Sequence, residues 1–204
     1  MAELSLSNEQ RERLYERVEE LTPHSDLYFP DHIFPVARDC LHYGLEFQKS
    51  GHNIDPEICH LGGLTHDLGY REPGDHIENG IRITSELLEE NSIPTDYADR
   101  ITDCIWTHDG NLDRSEFATN GNPPLENIIV NDVDAIALFT WIPSSVIEFV
   151  GRLGIPEPEK WLIGHADETF EYIHHPYFKK RAEPFYKQFV KEMQDRINKK
   201  DIFK

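Results

Sequence analysis

Apolar residues recur at helical spacing along nearly the whole chain. Ser7 and Gln10 form a capping box, and Leu14, Val18 and Leu21 follow on one face. From Asp31, the residues Ile33, Val36, Ala37, Cys40, Leu41, Gly44 and Leu45 make a single stripe that ends near residues 50–53. Asp55 followed by Pro56 reads as an N-cap and a first helical position, opening a helix through Ile58, Leu61 and Leu64 that Gly69 should end. Asp75 begins another helix, with Ile77, Ile81 and Leu88 inward, closed by Pro94. The next runs from Thr95 through Ala98, Ile101 and Ile105 to Trp106. Residues 22–30 and 109–124 read as loops, the second rich in Asn, Gly and Asp. The apolar run over residues 125–139 has no alternating strand nearby to pair with, so it is expected to be a buried helix. Helices near 142–152, 158–173 and 182–199 complete an all-α pattern.

Composition narrows the partners. The 204 residues suit one compact domain, with the helices of 141–204 appended to the rest. With 38 acidic against 20 basic residues, the net charge is −18. Such a surface repels nucleic-acid backbones and anionic membranes. An anionic substrate would need a local positive charge, which a bound metal ion supplies. No apolar stretch approaches the roughly 18–20 residues that span a bilayer, and the N-terminal sequence lacks a secretory h-region. Cys40, Cys59 and Cys104 are odd in number and form no Cys-x-x-Cys pair, so reduced thiols and a cytoplasmic location are expected.

The stretch GGLTHDLGY (62–70) sets His66 beside Asp67 where a helix should stop. Adjacent helical residues point about 100° apart. The pair can address one metal only if the chain turns there, and Gly69 is expected to provide that freedom. His32 falls in the first turn of the second helix, His76 opens the fourth, and His108 closes the fifth. Asp134 sits in the most apolar helix, where a carboxylate costs several kcal/mol to bury uncompensated. Asp132 and Asp134 lie about 200° apart in angle, so only one is expected to point inward.

The order of DHIFPVARDC, GGLTHDLGY, GDHIENGIRITSELLEENSIP, CIWTHDG and LENIIVNDVDAIAL resembles the HD superfamily of metal-dependent phosphohydrolases, over about residues 31–140. The resemblance implies a helical bundle of the HD type. It matches His32 to the first histidine, His66 and Asp67 to the doublet, and Asp134, within VDAI, to the distal aspartate. Members with two metals use two more histidines, matched here by His76 and His108. Many members carry Lys shortly after the doublet; Tyr70 stands there instead, with Arg71 next as a candidate phosphate contact. No Gly-Tyr-Pro follows THDG, which speaks against cyclic-di-nucleotide hydrolysis.

The implied function is hydrolysis of a small phosphoester, nucleotide or pyrophosphate through a metal-activated hydroxide, with Asp67 catalytic or Glu78 assisting with the proton. Imidazole and carboxylate donors suit about two ions of Mn, Fe, Co, Ni or Zn. A di-iron oxygenase of the same superfamily would use the same four histidines and two aspartates, and a non-catalytic sensor would keep the fold alone. His60 lies about 240° around its helix from His66 and is expected to serve the core. His24, His42, His52, His165, His174 and His175 read as surface or satisfied residues. Arg38 and Arg82 are placed near the pocket mouth, and the basic run at 177–185 reads as a solvated helix face.

Overall fold

The computed structural model describes residues 6–22 and 26–202, so His24 lies outside the described residues. Among the described residues the regular elements are helical and no strand forms. The chain divides into two compact units, Met1–Asn131 and Asp132–Lys204.

The first unit holds α1 (Asn8–Leu21), α2 (Phe34–Lys49), α3 (Pro56–Thr65), α4 (His76–Glu90) and α5 (Thr95–Thr107). Its caps follow the sequence. Ser7 and Gln10 close the capping box of α1, Asp55 accepts from Glu57 N at 3.0 Å, and Asp75 accepts from Ile77 N at 2.9 Å and Glu78 N at 3.2 Å.

Helix α3 is the central element, buried at nearly every position. Its paired glycines are the reason it can lie so deep. A Cβ on Gly63 would come within 2.8 Å of Cys40 Sγ on α2, and one on Gly62 within 3.0 Å of Cys104 Cβ on α5. The neighbouring helices therefore close onto bare backbone on both sides. Cys40, Cys59 and Cys104 are all buried thiols in no disulfide, and burial pushes the Cys59 and Cys104 thiols well up. All three pack as small apolar groups, and Cys59 and Cys104 offer no thiolate at neutral pH.

Helix α3 ends at Thr65, four residues before Gly69. Gly69 does not take a left-handed conformation, so the expected backbone freedom is not its role. It lies instead in a 3-10 turn (Leu68–Arg71) packed flat against the start of α4. A Cβ there would fall 1.6 Å from the His76 carbonyl oxygen and 2.7 Å from Gly80 N. Both obstacles are backbone, which cannot rotate away. Gly69→Ala is expected to push α4 off the turn at a cost of about 3 kcal/mol or more, read as a lowered thermal midpoint.

Helix α6 (Leu125–Thr140) runs from the end of the first unit into the second, confirming a helix over the apolar run. The second unit continues with α7 (Pro143–Arg152), α8 (Pro158–Tyr172) and α9 (Pro176–Ile202). Helix α9 starts six residues earlier than the pattern suggested and carries Pro184 in its interior. Phe178, Ala182, Phe189 and Met193 are buried at helical spacing on both sides of that proline, and Phe170 of α8 stacks on Tyr186 at 4.4 Å. Burial of that stripe offsets the roughly 3 kcal/mol that an internal proline costs. The start of α9 is held by Asp132, whose Oδ1 accepts from His174 N at 2.8 Å and whose Oδ2 accepts from His175 N at 2.7 Å.

Candidate metal centre

Four helix boundaries of the first unit converge. His32 sits in a π-helical turn (Phe29–Ile33) that leads into α2, rather than in the first α-helical turn. Single π turns of this kind re-aim a side chain without breaking the helix. His66 caps the C-terminus of α3 and Asp67 opens the 3-10 turn, its backbone (φ −107°, ψ 11°) leaving the helical path. That change, not a glycine, turns Asp67 back beside His66. His76 is the first residue of α4, and His108 caps the C-terminus of α5.

The side chains meet. His32 Nε2 lies 3.3 Å from His66 Nε2 and 3.5 Å from Asp67 Oδ2, and His66 Nε2 lies 3.1 Å from that oxygen. The other oxygen, Asp67 Oδ1, is 3.5 Å from His108 Nε2. Asp67 thus presents one oxygen to His32 and His66 and the other to His108. His32, His66, Asp67 and His108 are all buried.

The histidine tautomers are set from behind. His66 Nδ1 donates to Gly63 O at 2.9 Å, and His108 Nδ1 donates to Ile105 O at 2.6 Å. Each Nε2 is therefore the nitrogen left to take a proton or a metal ion on the side of Asp67, the arrangement by which a protein orients metal-binding imidazoles. His108 Nε2 is buried and makes no hydrogen bond. A buried nitrogen lone pair facing carboxylates needs either a proton or a cation.

Charge coupling is strong. Burial alone would raise the Asp67 carboxyl, but the His66, His108 and His32 imidazoles outweigh it and hold it well below the usual carboxylate range. Burial likewise favours neutral His108, yet Asp109 and Asp67 overcome this and carry it up to about 9. Three imidazoles thus converge on an ionised carboxylate.

His76 joins a neighbouring group. Its Nε2 is 3.0 Å from Asp109 Oδ2, which is 3.8 Å from His108 Nε2. One ligand atom from each of His76, His108 and Asp109 lies within 4.8 Å of the others. Asp109 holds a left-handed backbone (φ 56°), and Gly110 N donates to Asn131 Oδ1 at 2.9 Å. Behind them, Asn127 donates to Asp103 Oδ2 and Thr107 Oγ1, tying α6 to the end of α5.

Two aromatic residues hold the site in roles the sequence reading did not assign. Tyr28 hydroxyl donates to Asp67 Oδ2, and its ring stacks on His32 at 4.9 Å. Nothing in the pattern of residues 22–30 marks it beyond its place before Pro30. Tyr70, standing where many members of the superfamily carry lysine, stacks on His76 at 4.4 Å with an interplanar angle of 10°. That position buttresses an imidazole here.

The arginines, Glu78 and His60 are engaged elsewhere or exposed. Arg71 is exposed, its Nη1 donating to Glu20 O at 3.4 Å. Glu78 is exposed in the first turn of α4. Arg38 pairs with Asp39, and Arg82 with Glu72 and Glu86. His60 is satisfied in the core, 2.6 Å from Tyr15 hydroxyl and 3.4 Å from Glu57. Asp132 is fully buried and Asp134 half-buried. Asp132 is the deeper one because it serves the backbone of α9.

Histidines and a His-Asp doublet gathered at the ends of packed helices make a group that could hold a metal ion in a helical domain. The HD domain family matches residues 30–138, more than half of the chain, and the protein belongs to that family. No curated protein and no solved structure matches the chain.

Proposed function

We propose that the protein is a metal-dependent phosphohydrolase acting on a small phosphorylated molecule: a phosphoester, a nucleotide or a pyrophosphate. The observation that carries this reading is the position of Asp67, ionised and with its two oxygens directed at two different groups of imidazoles. His32, His66 and Asp67 would hold one divalent ion, and His76 and His108 would hold a second, with Asp67 common to both. The donor set, imidazole and carboxylate without thiolate, fits Mn, Fe, Co, Ni or Zn.

Asp134 is proposed as the remaining ligand of the first ion. Along α6, Asn127, Asn131 and Asp134 are spaced by four and three residues and so share one ridge. The first two already reach the end of α5 and the turn after it. Asp132 lies about 200° away from Asp134 and is committed to α9.

What divalent ions supply in such a site is charge: they lower the pKa of water and offset the negative phosphoryl oxygens. The chain's own groups do the positioning. The Gly63 and Ile105 carbonyls fix two imidazoles, and Tyr28 fixes the orientation of the Asp67 carboxylate. Arg71, on the turn that Asp67 opens, is the proposed phosphate contact once it releases the exposed Glu20 carbonyl.

The test combines elemental analysis of metal-loaded protein with a phosphoester and nucleotide panel, each with and without chelator. Chelator-sensitive phosphate release is expected. Iron-dependent oxygen uptake without phosphate release would replace the hydrolase with an oxygenase. Bound metal with neither activity would leave a sensor.

A further inference from the structure

We infer that Asp109 is a direct ligand of the second ion, and that this ion sits at a solvent-open rim and exchanges, whereas the first is buried and retained. The inference rests on the metal-dependent reading above and adds a residue that the HD pattern does not carry.

The alternative role for a carboxylate beside a metal-binding histidine is to orient the ring from its far side. Geometry excludes that role toward His108. Its far nitrogen, Nδ1, is already bonded to Ile105 O at 2.6 Å. Asp109 approaches the other nitrogen, Nε2, which is the one facing Asp67. A carboxylate on that side occupies a ligand's place. For His76 the contact is again with Nε2, while Tyr70 holds the ring by its face.

The spacings agree with a shared ion. Donors about 2.1 Å from an octahedral cation are about 3.0 Å apart when adjacent and about 4.2 Å apart when opposite. The observed separations of Asp109 Oδ2 from His76 Nε2, 3.0 Å, and from His108 Nε2, 3.8 Å, lie within that span. The second independent observation is His108 Nε2 itself, fully buried, without a hydrogen bond and aimed into the gap.

The two positions differ in access. The side chains of His32, His66 and Asp67 are at most 8% exposed, while those of His76 and Asp109 are 26% and 40% exposed. Water reaches the outer donors and competes for the ion there. The turn that presents Asp109 is held by Gly110 N donating to Asn131 Oδ1 and by Asn111, whose backbone N and Nδ2 both donate to His108 O. An outer ion that comes and goes would tie activity to the free concentration of that metal.

Asn and Gly both tolerate the left-handed backbone of residue 109, so Asp109→Asn and Asp109→Gly preserve the turn. Asn also keeps an oxygen that can accept from His76, so it would rescue a purely orienting role. Manganese ion alone is titrated into metal-free protein by calorimetry, with elemental analysis after rapid gel filtration and circular dichroism as a folding check. The wild type is expected to bind about two ions and to keep about one through filtration. Both variants should bind one ion with wild-type affinity and the second at least about tenfold more weakly. A second ion bound by Asp109→Asn as tightly as by the wild type overturns the inference and leaves the metal-dependent reading standing. A wild type that saturates at one ion overturns it equally. A folded wild type that binds no manganese overturns both.

Discussion

Asp67→Asn is expected to abolish metal-dependent activity while leaving a folded, helical protein. The replacement keeps the shape of the side chain and removes its charge. In the wild type that charge faces His32 and His66 through one oxygen and His108 through the other. The proposed ions would lose the ligand common to both, so metal content should fall toward zero rather than by half. Activity indistinguishable from the wild type would remove Asp67 from the chemistry.

A pH profile of the metal-free protein gives a second reading of the same variant. His108 titrates at about 9 in the fold against about 6.5 in an unfolded chain, Asp109 and Asp67 overcoming the effect of burial. A raised pKa means that the folded state holds the proton more tightly. The stability this contributes is complete below about pH 6.5 and is lost as pH rises through about 9. Removing the Asp67 charge should narrow that window from its upper end, seen as a thermal midpoint that stops falling at lower pH. Metal binding needs neutral His108, so affinity should rise with pH across the same interval. An affinity that falls as pH rises would contradict the assignment.

Asp132 and Asp134, two residues apart on α6, are expected to separate stability from metal binding. Asp132→Ala leaves the backbone N–H groups of His174 and His175 without their acceptor at the start of α9. Loss of two bonds to a buried carboxylate should cost about 2–5 kcal/mol, measured by denaturant or heat on metal-free protein. Its metal content, measured below the new midpoint, should stay near that of the wild type. Asp134→Ala should do the reverse, keeping stability within about 1 kcal/mol and losing bound metal and activity together. If Asp132→Ala is the variant that loses metal while Asp134→Ala keeps it, the ligand is the first aspartate.

Much of this was legible along the chain. The caps at Ser7, Asp55 and Asp75 and the stripes behind them define helices through local hydrogen bonds and a 3.6-residue period, and both are properties of short segments. The apolar run of α6 was readable as a helix because no partner strand flanked it. His66 with Asp67 marked the centre, and the order of the surrounding motifs identified the family.

What the sequence could not settle depends on atoms brought together from distant positions. Gly69 reads as a helix stop, yet its lack of a side chain matters because the His76 carbonyl lies against it, a contact created by packing α4 onto the turn. Pro184 reads as a break, and only the apolar stripe from Phe178 to Met193 makes the helix continue through it. Asp132 and Asp134 look alike in one dimension, and the start of α9, some forty residues on, distinguishes them. Tyr28 belongs to the site because its hydroxyl reaches Asp67 across 39 residues of chain. Local propensity is written in neighbouring residues, whereas ligand geometry arises where helix ends from separate parts of the chain meet, and only the folded backbone specifies that meeting.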